Sequence, residues 1–338
     1  MIGNGEGIRI IGAAELRAQV RFQDLIEPVS AVFRESSSGL AANGLVLMFP
    51  LEDRDRGDVY VKTGTIRGHS VFIVKVSPWF AENVEIGAAQ GGFVAVFDSR
   101  TGRTIALLNE EHYLSDIRTA AAGALAARVF APATVRTAAV LGAGVQAYWQ
   151  TLALHGERPF GTLLIWARDV EKAMKLKTRL TKHLPGVELR VETQLEHTVR
   201  EADVLICATM AREPLVHGEW LREGQHITAV GADDPGKCEL DASVLRRARV
   251  FVDSLDTAAA NGDVHRAIVT NRYSRSELSG EIGEVLAGTK IGRSSPSDIT
   301  VAKFVGIGAQ DLAAAETSLA KLGIWNSSTR IAEQTHGL

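Results

Sequence analysis

Apolar and polar positions change their period twice along the chain. Over residues 13–36, Leu16, Val20, Phe22, Leu25, Ile26, Val29, Val32 and Phe33 recur at helical spacing, which predicts an amphipathic helix. Five short apolar runs follow: LVLMF (45–49), DVYVKT (58–63), SVFIVKV (70–76), GFVAVF (92–97) and TIALLN (104–109). Turns rich in Gly, Asp, Arg and Ser separate them, the pattern of an antiparallel meander. DSRTGR (98–103) predicts a hairpin turn in which Gly102 takes the positive φ.

The stretch YLSDIRTAAAGALAARVF (113–130) carries almost no side-chain volume. It reads as an alanine-rich helix preceded by Arg118, a cation at the end where the backbone dipole disfavours one. Either an anion sits there and another element packs very close, or Arg118 is a solvated residue before a packing helix. After residue 133 short buried runs alternate with helical ones. They are RTAAVL (136–141), a helix over 145–155, TLLIWA (162–167), a charged helix over 169–183, VELRVE (187–192), a helix near 194–201, DVLICAT (203–209), HITAVG (226–231) and RVFVDS (249–254). That alternation predicts βαβ units and a parallel sheet, hence an α/β class. Residues 309–322 predict one more amphipathic helix, and the polar tail from 326 is expected to fray or drape on the surface.

Composition removes several function classes. The 338 residues carry a formal net charge of −3, so no basic footprint for nucleic acid or an anionic membrane is present. Cys207 and Cys238 have no metal or redox spacing, and the nine histidines make no HExxH-type pair, so no metal site is expected. The N-terminus lacks a signal-peptide pattern, and Arg128, Pro132 and Arg136 interrupt the longest apolar candidate for a membrane span. A cytoplasmic protein is the expectation.

TAAVLGAGVQAYWQ carries the clearest chemistry. Gly142, Gly144 and Ala147 form G-x-G-x-x-A between a buried strand and a helix. Gly142 permits the tight turn, Gly144 lets a pyrophosphate approach the backbone, and Ala147 lets the helix lie close on the strand. The opening residues of that helix, Val145 and Gln146, would offer amides to the phosphates. Thr209, Met210 and Gly231, at the ends of later strands, complete the expected cofactor-binding set. The next strand ends in IWARD: Asp169 would suit the ribose hydroxyl of NAD, whereas Arg168 would suit the 2′-phosphate of NADP. Arg168 comes first, which tilts the expectation to NADPH; Asp169 would also serve as a helix cap.

Lys75, in VFIVKVSP, is either an edge lysine reaching for water or a desolvated amine able to exchange a proton with a substrate nitrogen. Lys62, in VYVKTG, has the same two readings. Asp233, in GADDPGKCELD, stands after a parallel strand, where it either binds a nitrogen cation or belongs to an Asx turn.

Taken in order, DIRTAAAGALAAR, VLGAGVQAYWQ, GADDPGKCELD, SGEIGEVLAGTKIGR and GIGAQDLAAA resemble the ornithine cyclodeaminase/μ-crystallin family over most of the chain. VYVKTG and FIVKVSPWF look most like its ectoine-utilisation, cyclodeaminase-like branch. The resemblance implies a homodimer. It implies an α+β substrate and dimerisation domain (1–128 and 311–338) and a Rossmann NAD(P)-binding domain (129–310). It also implies that Arg118 binds the substrate α-carboxylate, that Thr119 reaches a cofactor phosphate, and that Lys75 and Asp233 are the catalytic pair. Relatives usually carry a further arginine on the first strand, which AANGLVLMF lacks, and a methionine where Lys62 stands. Lys62 is therefore expected to replace that arginine as a carboxylate partner. Ornithine cyclodeaminases have a glutamate near Tyr60, so ornithine is not the expected substrate.

The chemistry implied by the resemblance is hydride transfer between nicotinamide and the α-carbon of an amino or imino acid. Arg118 and Lys62 would fix the carboxylate, with Lys75 as the acid and Asp233 as counter-ion to the protonated imine, the better hydride acceptor; cations packed around Lys75 would favour proton exchange. The first expectation is an imino-acid (ketimine) reductase or amino-acid dehydrogenase. The rivals are an ammonia-releasing cyclodeaminase and a nucleotide-bound protein without turnover.

Overall fold

The computed structural model describes residues 8–325, so the tail from 326 lies outside the described residues. The chain forms two compact units, one running to Arg118 and resuming at Ile307, the other spanning Thr119–Gly306. The expected domain edges lay at 128/129 and 310/311.

The first unit opens with β1 (Arg9–Gly12), α1 (Ala13–Gln19) and α2 (Phe22–Ser37). The single helix expected over 13–36 is thus two helices. Val20 and Arg21 are extended, and the Asp24 carboxylate accepts from the Arg21 amide (2.8 Å), starting a new helix there. Then come β2 (Ala41–Met48), β3 (Gly57–Ile66), β4 (Val71–Phe80), α3 (Ala81–Glu85), β5 (Phe93–Asp98), β6 (Thr104–Asn109) and α4 (Tyr113–Phe130). The expected meander is present in the order β6-β5-β4-β3-β2, with β1 added parallel to β6. Gly102 has φ +69°, as its turn requires.

Arg118 does not precede a helix. α4 begins five residues earlier, because the Glu110 carboxylate accepts from the Ser115 amide and hydroxyl (2.7 Å each) and organises the first turn. Arg118 therefore sits inside α4, buried, and the conflict with the dipole at the helix end disappears. The small residues that follow have a packing reason. A Cβ on Gly123 would collide with Gln150, whose Nε2 donates to the Thr119 carbonyl (2.8 Å).

The second unit continues with β7 (Thr137–Leu141), α5 (Val145–Glu157), β8 (Thr162–Trp166), α6 (Val170–Thr181), β9 (Glu188–Glu192), α7 (Leu195–Glu201), β10 (Val204–Cys207), β11 (His226–Ala229), α8 (Ala242–Arg247), β12 (Arg249–Val252), α9 (Leu255–Ala260), α10 (Gly262–Val269), β13 (Gly280–Glu281), α11 (Ile282–Leu286) and β14 (Thr300–Lys303). The last helix, α12 (Gly308–Lys321), belongs to the first unit. All eight strands of the second sheet are parallel, ordered β13-β12-β14-β11-β10-β7-β8-β9. Apolar clusters cover both faces, as buried parallel strands require. No helix among the described residues is long and apolar enough to cross a membrane.

Candidate active site

In the first unit, burial alternates along β3 so that Asp58, Tyr60 and Lys62 share the covered face; on β4 Lys75 and Ser77 do so. The register sets Lys62 directly opposite Lys75. Like charges in that position repel, and both lysines are almost wholly buried. Asp311, at the start of α12, relieves them. Lys75 Nζ donates to Asp311 Oδ1 (2.9 Å), Arg118 Nε donates to the same oxygen (3.0 Å), and Arg118 Nη1 reaches Gln310 Oε1 (3.3 Å). Glu110 Oε1 lies 4.0 Å from Lys75 Nζ. Burial pushes the Asp311 carboxyl up, but Arg118, Lys75 and Lys62 together pull it down to about 2, so it is ionised. Burial first, helped by Lys75 and Arg118, lowers the His112 pKa against the pull of Glu110 and of the Pro78 carbonyl, to which its Nε2–H donates (2.7 Å). The loop that places it is bent, with Glu111 and His112 both at positive φ. A cluster of this kind can hold a carboxylate and move a proton beside it.

Within the first unit Lys75 is paired with Asp311, a partner that the sequence reading did not include. Asp311 was missed because GIGAQDLAAA reads as the start of a packing helix. The available signal was the Gln–Asp pair on the apolar side of an alanine-rich run.

In the second unit, β7 lies between β10 and β8, so the strand order reverses between β7 and β10. Ligands bind in open α/β sheets at the carboxyl ends of strands beside such a reversal. Gly142 follows β7 with φ +111°, and a Cβ there would strike the Ala208 carbonyl. Gly144 starts α5, no side chain caps that helix, and the space over Gly144 is open. Ala147 is wholly buried in one cluster with Val140. A glycine turn with open space above it, leading to an uncapped helix start, fits a dinucleotide pyrophosphate. Thr209 and Met210 follow β10, and Gly231 follows β11, at the same edge of the sheet.

Arg168 and Asp169 are both exposed after β8. Asp169 caps α6, its Oδ1 accepting from the Glu171 (3.0 Å) and Lys172 (3.2 Å) amides. In the loop after β11, Asp234 makes the Asx turn, accepting from the Gly236 (2.6 Å) and Lys237 (2.9 Å) amides. Asp233 instead accepts from Lys237 Nζ (2.7 Å) and keeps about a third of its side chain exposed. Cys207 and Cys238 are buried and free, and burial pushes both thiols up, that of Cys238 to about 12.

Beneath this loop lies a buried set that the sequence reading passed over. Glu239 accepts from Thr209 N (2.6 Å), Thr209 Oγ1 (2.8 Å), Gly231 N (2.8 Å) and Ala232 N (3.1 Å). Asp263 and Lys303 stand behind it, 3.1 Å apart.

A parallel sheet with a glycine turn at its reversal point in the second unit, and a first unit that buries Lys62, Lys75 and Arg118, define a two-unit α/β protein of the dinucleotide-binding class. The sequence model of the ornithine cyclodeaminase/mu-crystallin family matches residues 9–320, and the chain belongs to that family. A Sinorhizobium fredii protein named an uncharacterized cyclodeaminase is 38% identical over 315 residues, covering 91% of this chain and 94% of that one. The Thermococcus litoralis Δ(1)-pyrroline-2-carboxylate reductase, solved with NADH and L-proline, is similar at 27% identity and a TM-score of 0.86, covering 93% of this chain and 97% of that one. An archaeal alanine dehydrogenase dimer with bound NAD is similar at 28% identity and a TM-score of 0.85, covering 93% and 95%.

Proposed function

We propose that this chain is an NAD(P)H-dependent imino-acid reductase, running in reverse as an amino-acid dehydrogenase, on a small carboxylated substrate. The observation that carries the reading is the gathering of Lys62, Lys75 and Arg118 in a buried cluster about Asp311. Arg118 and Lys62 bind the substrate carboxylate, which fixes the α-carbon. Lys75 delivers a proton to the substrate nitrogen, and Asp311 keeps its ammonium in place. Asp233 stabilises the protonated imine, the better hydride acceptor. A nicotinamide held by the second unit would supply the hydride that the α-carbon accepts.

The first unit is the substrate and dimerisation part, the second the nucleotide-binding part. Thr119, Gly142, Gly144, Val145, Gln146, Ala147, Thr209, Met210 and Gly231 hold the dinucleotide. Arg168, exposed after β8, would meet the 2′-phosphate of NADPH, while Asp169 spends one oxygen on capping its own helix. The protein works as a homodimer in the cytoplasm. An apolar row, Val46–Val61–Val76–Phe93, crosses the outer face of the first sheet with Val46 58% exposed, and a second copy would cover it.

One experiment separates this reading from ammonia-releasing cyclisation. Cyclic imino acids, and α-keto acids with ammonia or methylamine, are screened beside diamino acids, following nicotinamide absorbance and ammonia together. Stoichiometric consumption of NADPH or NADH with an imine is the expected result. Ammonia release from a diamino acid without net change in the nucleotide would replace this reading with the cyclodeaminase.

A further inference from the structure

We propose that Glu239 is a positioning residue for the reaction: its carboxylate ties the end of β10 to the end of β11 and so sets where Asp233 stands. The inference rests on the role given to Asp233 above. The ladder between β10 and β11 stops at Cys207 and Ala229, with one more bond from Val230 N to the Cys207 carbonyl (2.9 Å). Beyond that point Glu239 takes over. Its Oε1 holds the amide and hydroxyl of Thr209, and its Oε2 holds the amides of Gly231 and Ala232. An ionised carboxylate has about four acceptor sites, and all four are used here. No other side chain of this size accepts four donors without offering one.

The fit is close. A Cβ on Gly231 would run into the Thr209 backbone and lie 2.6 Å from Glu239 Oε1. Glu239 is itself held, because Asp263 Oδ1 accepts from the Glu239 (2.6 Å) and Leu240 (2.8 Å) amides. Lys303 Nζ, on β14, lies 3.1 Å from Asp263 Oδ2 and donates to the Ala232 carbonyl (2.5 Å). Ala232, the residue before Asp233, is thus gripped at its N–H by Glu239 and at its carbonyl by Lys303. Glu239, Asp263 and Lys303 are completely buried. Burying charges is costly even when they pair, and apolar residues would pack these strands at least as well. What apolar residues cannot do is hold four donors at the edge of the sheet from which Asp233 projects. Burial first, then Asp263, pushes the Glu239 carboxyl up, while Lys303 and the Thr209 donors pull it down and favour the ionised form that accepts all four bonds.

The test is a double-mutant cycle in the full-length enzyme. Glu239→Gln keeps the shape but sets donors against donors. Turnover should fall by about 10- to 100-fold, the size of effect a small misplacement of a reacting group produces. In an Asp233→Asn background the same change should cost under about threefold, because its effect runs through Asp233. Additive losses, or an unchanged kcat in Glu239→Gln beside a large loss in Asp233→Asn, overturn the proposal. An unchanged kcat in Asp233→Asn alone overturns the role of Asp233 instead. Asp263→Asn, which leaves an acceptor for the Glu239 amide but removes the charge facing Lys303, should behave as Glu239→Gln does. Should neither variant fold, amide hydrogen exchange on the wild-type enzyme decides. The amides of Thr209, Gly231 and Ala232 should exchange with the core of β10 and β11, and exchange as fast as in exposed loops contradicts the tie.

Discussion

Lys75 is enclosed in apolar sequence, and the physical question is how a buried ammonium is tolerated. Asp311 answers it by accepting from both Lys75 and Arg118 on one oxygen. Asp311→Asn would leave two buried cations without that partner, and breaking a buried pair in this way costs about 3–5 kcal/mol. Thermal or urea unfolding should show that loss, and a change within error would mean the cluster is held by something else. Lys62 faces Lys75 across the strand pair and shares in the pull on the Asp311 carboxyl, and in the function proposed above it binds the substrate carboxylate. Lys62→Met should therefore raise the substrate KM at least about tenfold with kcat little changed, the signature of lost carboxylate binding. An unchanged KM removes Lys62 from the site. Both lysines were legible because a charge inside a strand stands out against its neighbours. Asp311 was not, because a single carboxylate at a helix start has a bland explanation in every sequence. Its meaning depends on α12 packing against β3 and β4, a contact between segments more than two hundred residues apart.

Between elements, His69 acts as a clamp. From the turn joining β3 and β4 it reaches Glu316 on α12 through Nδ1 (3.0 Å) and Glu35 on α2 through Nε2 (3.1 Å). Its pKa is raised, mainly by the Glu316 hydrogen bond, against burial and with help from Glu35. A histidine whose folded pKa is raised contributes stability fully present below the unfolded value of about 6.5, lost as pH rises through the folded value. The difference in melting temperature between wild type and His69→Gln should thus be larger near about pH 6 than near about pH 9. An equal difference at both would show that the imidazole is not charged in the clamp. The meander and the βαβ alternation were readable because their apolar periods are long and regular. The start of α4 was hidden by EEHYLSD, where a glutamate supplies the cap and two residues take positive φ without glycine. β14 was unread because it is four residues long and ends in Lys303, although it sits inside the sheet between β12 and β11.

For the molecule as a whole, the outer face of the first sheet predicts its assembly. Val61 stands mid-row between Val46 and Val76, so Val61→Asp should convert a dimer to monomers in sedimentation equilibrium while the fold persists. A wild-type protein that sediments as a monomer would remove the homodimer from the account. The central claim is that hydride passes between a nicotinamide and the α-carbon of a carboxylated imine fixed by Lys62, Lys75 and Arg118. NADPH carrying deuterium at both positions of C4 of the ring tests it most directly, with the imine from the substrate screen and mass spectrometry of the product. The account predicts deuterium at the α-carbon of the amino acid, and none with Lys75→Ala. A product formed without the label, or full transfer by Lys75→Ala, would contradict it.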